Sequence, residues 1–78
     1  MQSILDFPDF CPGIGKQAWP ELVAKKGEEA VKVIESENRF VTAFTILVGT
    51  PTTKEINCGR VRVWVDACDY VVTAPYVG

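Results

Sequence analysis

The hexapeptide Arg60–Val65 constrains the fold of this chain more than any other segment. Its residues alternate strictly, so three valines fall on one side of an extended backbone while Arg60, Arg62 and Trp64 fall on the other. β-Branched residues at every second position favour a strand with one buried face. The segment therefore predicts a β-strand whose valines enter the core and whose two arginines project from the opposite face.

A short helix is predicted before this strand, over residues 28–37. Gly27 precedes two glutamates, which suit the first turn because negative charge there complements the helix dipole. Ala30, Val33 and Ile34 fall on one face of such a helix and supply its apolar side. We expect this helix to cover one side of a sheet.

Two further strands are predicted from composition. Phe40–Val48 is rich in β-branched and aromatic residues and predicts a buried central strand, and residues 70–73, which precede Pro75, predict a third short strand. The expected fold class is α+β: a single small domain with one helix packed on a short mixed sheet and a long exposed loop between the first two strands.

Length and charge narrow the functional classes. The chain has 78 residues, 47% of them apolar, and a net charge of −2, which indicates one globular domain without overall attraction to nucleic acid or an anionic membrane. It contains no His, the usual general base, and its carboxylates do not converge on one strand end. We therefore expect no enzyme, no cofactor, no nucleic acid partner and no membrane partner.

Three cysteines, Cys11, Cys58 and Cys68, allow one disulfide and leave one thiol over, and their spacing leaves all three pairings open. A metal site is not expected, because no two cysteines stand at short ligand spacing and His is absent. A structural bridge is the expected use of two of them, since a core this small gains from a covalent link.

Residues 1–10 are predicted to form an extended N-terminal arm that precedes the domain, residues 11–78. Asp6, Pro8 and Asp9 interrupt the apolar residues of the arm and no basic residue precedes them, so we do not expect a signal peptide in this chain. The compartment stays open: secreted or vacuolar if Met1 is a cloning scar, and cytoplasmic otherwise.

The connection between the predicted strands is the main candidate for a functional site. Its Lys54 and Glu55 follow Pro51 and two threonines, all of which restrict the backbone on the leading side. The loop has about eleven residues, 49–59. Long loops between strands of a compact domain are uncommon and usually functional. The pattern predicts a displayed Lys54–Glu55 bond whose basic side chain suits the acidic pocket of a trypsin-like protease.

Arg60 and Arg62 are the candidate supports of this loop. Their two-residue spacing aims both guanidinium groups to the same side, where the planar forks can hold backbone carbonyl groups or the Glu55 carboxylate and Thr53 hydroxyl of a loop folded over them. The alternative is that the solvent face of a strand simply carries charge. We interpret the pair as a brace for the displayed bond.

Four ordered motifs over residues 11–78 carry a resemblance to a known family. The chain resembles the potato inhibitor I family of serine protease inhibitors, and most of all its cucurbit trypsin inhibitors, which share a Cys-Pro-Gly start and a Thr-Lys before the reactive bond. The motifs are Lys16–Val23, Gly49–Glu55, Arg60–Val65 and Pro75–Gly78.

This resemblance implies an inhibitor that binds serine proteases like a substrate and reversibly, by the standard mechanism. Lys54–Glu55 would be the reactive bond, and trypsin-like or also subtilisin-like proteases would be the targets. Arg60, Arg62 and Gly78 would support the loop, and Cys11 and Cys58 match the family's bridged pair. The resemblance also implies plant defence and a response to wounding. The remaining loop residues by this resemblance are Gly49, Thr50, Pro51, Thr52, Thr53, Ile56 and Asn57.

Three positions depart from the family pattern. Gly59 stands where Asp or Asn is common, which implies one polar support fewer, and Asn57 stands where a basic residue is common. Cys68 has no counterpart, so we expect a monomer with an exposed thiol, with a dimer linked through Cys68 as the alternative. The alternative function is a non-inhibitory interaction module that uses the same loop or a strand edge.

Overall fold

The computed structural model describes residues 15–78, and these fold as one helix against a two-stranded parallel sheet. A 3-10 turn, Pro20–Leu22, precedes helix α1, Gly27–Glu37, which is followed by strands β1, Thr42–Leu47, and β2, Arg60–Val65. Antiparallel bridges join β2 to residues 71 and 77, so the sheet has mixed character. The predicted α+β class, with one helix on a short mixed sheet, is confirmed.

Helix α1 begins one residue earlier than predicted, at Gly27. The Gly27 N–H donates to the Asp69 carbonyl at 2.8 Å, and a Cβ at this position would lie 2.7 Å from both Asp69 Oδ1 and Thr45 Cγ2. Only glycine permits this close approach of the helix start to the sheet and the turn beyond it. Ala30 and Ile34 are fully buried, as the apolar pattern predicts.

Strand β2 matches its prediction. Val61 and Val63 are fully buried and Val65 nearly so, while Arg60, Arg62 and Trp64 are half-buried on the opposite face. In-register partners in a sheet point to the same side, so Ala43, which pairs with Val61, also faces the helix. The core lies between this face of the sheet and α1, with Trp19, Leu22, Val71 and Val77 closing its margins.

The prediction of a buried central strand at Phe40–Val48 was wrong. The strand is shorter, Thr42–Leu47, and Ala43 is its one buried residue. β1 has β2 as its only strand neighbour in the described part of the chain, and α1 covers only one of its faces. Its apolar composition therefore belongs to an edge strand, with Phe44 41% and Leu47 53% exposed.

The predicted third strand at residues 70–73 was also wrong. This segment forms isolated bridges between Lys26 and Tyr70 and between Val65 and Val71 rather than a ladder. The chain reverses just before it, where the Asp66 carboxylate accepts the N–H groups of Cys68 and Tyr70 at 2.9 and 3.0 Å and Asp69 adopts a φ of 70°. A turn this tight leaves few residues to align before Pro75, which has no N–H to donate.

A polar cluster ties the first described residues to the end of α1. The fully buried Trp19 donates its indole N–H to the Glu37 carboxylate at 2.9 Å, and Lys16 forms ion pairs with Glu21 and Glu37. The hydrogen bond between Lys16 and Glu21 raises the pKa of Lys16 and lowers the pKa of Glu21. Both groups are solvent-exposed, so the pairs contribute little to stability.

No helix among residues 15–78 has the length and apolar character needed to span a bilayer.

Candidate functional site

The loop of residues 49–59 projects from one end of the fold because of the sheet topology. β1 and β2 run parallel, so the connection must travel from the end of β1 back to the start of β2. Every residue from Gly49 to Gly59 is exposed and none belongs to a helix or strand. Lys54 lies in this stretch and forms no ion pair with any described residue.

Arg60 makes the main contact between β2 and the loop. Its Nη2 donates to the Glu55 carbonyl oxygen at 2.9 Å, and its Nε donates to the main-chain oxygen of Gly78 at 3.0 Å. Nη1 also lies 3.8 Å from Glu55 Oε2, a long ion pair in which the Arg60 side chain is 14% exposed and the Glu55 side chain 65%. Arg60 thus joins the loop and the C-terminal residues through one planar group.

Arg62 makes the corresponding contact on the other side of Lys54. Its Nη2 donates to the Thr53 carbonyl oxygen at 3.3 Å, a longer bond than either of those formed by Arg60. The two arginines therefore hold the carbonyl groups of the residues immediately before and after Lys54. The contacts are made to the backbone of Thr53 and Glu55, and the Glu55 carboxylate is engaged only weakly.

Both ends of the loop are closed by short-range hydrogen bonds. At its start, the Thr50 hydroxyl and N–H both donate to the Leu47 carbonyl oxygen, at 2.6 and 3.1 Å. At its end, Asn57 Oδ1 accepts the Gly59 N–H at 2.9 Å and the Asn57 carbonyl accepts the Arg60 N–H at 3.1 Å. The loop thus enters and leaves the sheet through two fixed turns.

The contribution of Asn57 was missed in the sequence. The sequence-based interpretation placed it among the loop residues and treated it only as a departure from a basic residue. The signal was present, because an Asn two residues before Gly favours a turn in which the side-chain oxygen caps the backbone. Asn57 thus places a polar side chain against the backbone of Gly59, the position where the family commonly has Asp or Asn and this chain has no polar side chain.

The remaining predicted loop residues are exposed and are not brought into contact with the arginines. Ile56 is 52% exposed, and Gly49 has a φ of 92°, in the left-handed region where glycine is favoured. Pro51 and Thr52 lie on the leading side of Lys54, where proline fixes one backbone angle. These residues shape the loop through their own backbones.

Two of the three cysteines, Cys58 and Cys68, lie in the described part of the chain. Cys58 lies in the turn that closes the loop, between Asn57 and Gly59. Its predicted partner, Cys11, lies outside the described residues, so the pairing stays a prediction. Cys68 has an exposed free thiol in the turn after β2. Among residues 15–78 no group of His, Cys, Asp or Glu side chains is arranged to hold a metal ion.

Comparisons with known proteins point to one family. Residues 12–78 match the family described as the potato inhibitor I family. The chain is 44% identical over 68 residues to the "Inhibitor of trypsin and hageman factor" of Cucurbita maxima, an alignment that covers 87% of this chain and 97% of that one. It is 42% identical over 69 residues to the "Proteinase inhibitor I-B" of Nicotiana tabacum, and it spans 64% of that relative's length.

A solved structure shows the same fold. The bitter gourd trypsin inhibitor superposes with a TM-score of 0.82 at 46% sequence identity, covering 83% of this chain and 96% of that one. These relatives are named as proteinase inhibitors rather than enzymes, in agreement with the expectation drawn from the missing His. The match over residues 12–78, which include every described residue, shows that this protein belongs to the potato inhibitor I family.

Proposed function

We propose that this protein inhibits serine proteases by presenting Lys54–Glu55 as a substrate-like reactive bond. The observation that carries the proposal is the pair of arginine contacts, which hold the carbonyl groups of Thr53 and Glu55 on either side of Lys54. A loop whose backbone is already held in place avoids much of the ordering cost that a flexible peptide meets on binding. Family membership supports the same function.

The same contacts support slow, reversible turnover. After the protease serine attacks the Lys54 carbonyl, the peptide bond breaks and the new amino group is that of Glu55. Arg60 holds the Glu55 carbonyl and also bonds Gly78, so the leaving amine stays close to the acyl group. Religation then competes with water, because two reacting groups held together have a high effective concentration.

Trypsin-like proteases are the proposed targets, because the Lys54 side chain is basic, exposed and unpaired with any described acid. Subtilisin-like proteases are proposed as second targets on the family resemblance. The proposed loop includes Gly49, Thr50, Pro51, Thr52, Ile56 and Asn57 beside the contacted residues. The proposed role in the organism is plant defence in response to wounding.

The test is to replace Lys54 by Asp and measure inhibition of trypsin, chymotrypsin and subtilisin by active-site titration. We expect the wild type to block trypsin stoichiometrically and Lys54→Asp to weaken trypsin inhibition by about 1,000-fold or more, because an acidic side chain is repelled by an acidic pocket. Lys25→Asp makes the same charge change at an exposed position outside the loop and should inhibit like the wild type.

Mapping the cleaved bond provides an independent check. Prolonged incubation with a small amount of trypsin should yield a modified inhibitor whose new N-terminal residue is Glu55. A first cut at any other bond would contradict the site assignment. If Lys54→Asp stays folded by circular dichroism and inhibits trypsin as well as the wild type, Lys54 is not the residue that the protease binds. If the folded wild type does not inhibit any of the three proteases, the protein is a non-inhibitory interaction module.

A further inference from the structure

One buried side chain joins the first described residues to the turn before β1. Asn38, 3% exposed at the end of α1, donates from Nδ2 to the Lys16 carbonyl oxygen at 3.0 Å and accepts the Phe40 N–H at Oδ1 at 2.9 Å. Each hydrogen bond spans about 3 Å and both involve one amide group, so the Lys16 carbonyl oxygen lies within about 8 Å of the Phe40 nitrogen. A Cβ at Gly15 would lie 3.0 Å from the same amide. The chain that precedes Gly15 therefore joins the described fold beside Phe40.

The surface at this point is formed by Arg39 and Phe40, which we call the Phe40 patch. Phe40 is 68% exposed, more than any other large apolar residue among residues 15–78, and Arg39 is exposed and forms no ion pair with a described residue. The Phe40 carbonyl oxygen lies 3.9 Å from the position of a Cβ at Gly59, and Thr42 donates its N–H to the Gly59 carbonyl at 2.8 Å. The patch therefore borders the residue at which the loop rejoins the sheet.

The sequence before Cys11 matches this patch in shape and charge. Residues 6–10, which we call the arm segment, read Asp-Phe-Pro-Asp-Phe. Pro8 fixes its own φ and restricts Phe7 to an extended or polyproline II backbone. In polyproline II three residues complete a turn, so side chains three positions apart point to the same side at a spacing of about 9 Å. The arm segment thus carries two phenylalanines along one side and two aspartates, opposite in charge to Arg39, along the next.

The connection is long enough to bring the arm segment to the patch. Five residues of chain lead from Phe10 to Gly15, and an extended chain of this length spans up to about 17 Å. Pro12 and Gly13 favour a turn between them. A tether this short gives the arm segment an effective concentration on the order of millimolar at the patch, which favours it over a separate molecule.

We propose that the arm segment docks on the Phe40 patch of the same chain. The Phe40 ring lies between the rings of Phe7 and Phe10, and Asp9 faces the Arg39 guanidinium group. Aromatic rings pack with their centroids about 4.5–7 Å apart, so two rings spaced by about 9 Å have room for a third ring between them. The exposed ion pair adds orientation more than stability.

Docking in this position supports the end of the loop. Cys11 follows Phe10 along the chain, and Cys58 precedes Gly59, which borders the patch. The docked arm segment therefore brings Cys11 towards Cys58, the partner that the family resemblance implies. Packing between the rings does not require a bridge, so we expect docking also in a chain without one.

The direct test is nuclear Overhauser spectroscopy of the full chain with labelled phenylalanine. The chain has four phenylalanines, so each ring can be assigned. We expect contacts from the Phe40 ring to the rings of Phe7 and Phe10, and none from Phe44, which is 41% exposed on β1. The contacts should persist in Cys11→Ser. Isotope-filtered spectra of a mixture of labelled and unlabelled protein should show no contact between copies.

Cleavage of the arm by thermolysin measures how firmly it docks. This enzyme is a zinc protease, so inhibition of serine proteases does not affect it, and it cuts before large apolar residues. The cutting rate follows the population of undocked arm when docking is fast. Phe40→Ser should raise the rate about tenfold or more, whereas Phe44→Ser should cut like the wild type. Arg39→Ala should raise it by about threefold or less.

Two results would overturn the proposal. One is the absence of contacts from Phe40 to both arm rings in the folded wild type, or their appearance only between copies. The other is equal cutting of the arm in the wild type, Phe40→Ser and Phe44→Ser. Because Phe40 is largely exposed, Phe40→Ser should keep the wild-type circular dichroism spectrum, and faster cutting would then report loss of docking rather than unfolding.

Discussion

The two arginines on β2 make unequal contacts with the loop. Arg60 bonds two backbone oxygens at 2.9 and 3.0 Å and lies near a carboxylate, whereas Arg62 makes one longer bond of 3.3 Å. We expect Arg60→Ala to weaken trypsin inhibition by about 2–3 kcal/mol and Arg62→Ala by about 1 kcal/mol, since hydrogen bonds from charged donors are the stronger kind. Inhibition constants measured with trypsin check this order.

Arg39→Ala is the matched control, because Arg39 is an exposed arginine in the turn before β1 and no hydrogen bond or ion pair joins it to the carbonyl groups beside Lys54. It should inhibit like the wild type. The arginine variants should also be cleaved faster at Lys54–Glu55, since a looser loop lets the leaving amine move away. If Arg62→Ala inhibited trypsin more weakly than Arg60→Ala, the contact with the Thr53 carbonyl would be the more important one.

At this scale the sequence predicted which residues would meet but not which of their atoms. The two-residue spacing of Arg60 and Arg62 fixed their common direction, and this required only strand geometry. The choice between carbonyl and carboxylate acceptors depends on how the loop lies over the sheet, which no local pattern encodes. The Asn57 cap could have been predicted, because its turn signal is local.

Helix α1 depends on a glycine at its first residue. A Cβ at Gly27 would lie within 3 Å of Asp69, Thr45 and Val65, atoms of three different elements. We expect Gly27→Ala to lower the free energy of unfolding by about 1–3 kcal/mol, because the helix start must move away from the sheet. Chemical denaturation followed by Trp fluorescence measures the loss.

Gly59→Ala is the control for this prediction. A Cβ at Gly59 would have its nearest contact at 3.5 Å, with Asn57 Oδ1, an ordinary packing distance. Its unfolding free energy should stay within about 0.5 kcal/mol of the wild-type value. If both alanine variants were equally stable, the close approach at Gly27 would not be a constraint on the fold.

The elements differ in how much of them could be predicted. β2 was predicted well, because strict alternation identifies both the strand and its buried face. β1 was assigned to the sheet centre because apolar composition alone does not distinguish a buried strand from an edge strand. The difference lies in tertiary structure: one helix covers one face, and Phe44 and Leu47 are left exposed. The strand prediction for residues 70–73 was wrong because this segment pairs only through isolated bridges and forms no continuous ladder of hydrogen bonds.

At the scale of the whole molecule, the core alone is small. Among residues 15–78 eleven apolar side chains form the buried cluster, and single backbone hydrogen bonds hold the C-terminal segment, such as those from Val77 to Gln17 and from Gly78 to Arg60. Domains of this size gain from a covalent link. The loop base, where Cys58 lies, is where such a link would act on both fold and function.

We propose that Cys11 and Cys58 form this link, as the family resemblance implies, and Cys68 supports the pairing because its thiol is free. Thiol titration in denaturant without reductant should find one reactive thiol, and Cys68→Ser should leave none. The bridge would close about 47 residues, so its reduction should lower the free energy of unfolding by roughly 4 kcal/mol in the chain-entropy model.

The cleavage rate at Lys54–Glu55 distinguishes a bridge that also holds the reactive bond from one that only stabilises the fold. Cys58 follows Asn57 and precedes the Arg60 contact, so releasing it should loosen the side of the loop that carries Glu55. We expect Cys11→Ser with Cys58→Ser to be cleaved faster at Lys54–Glu55 under conditions where the variant remains folded, whereas Cys68→Ser should be cleaved at the wild-type rate. Three reactive thiols in the untreated wild type would show that no bridge forms, and equal cleavage rates would show that the bridge stabilises the fold without holding the reactive bond.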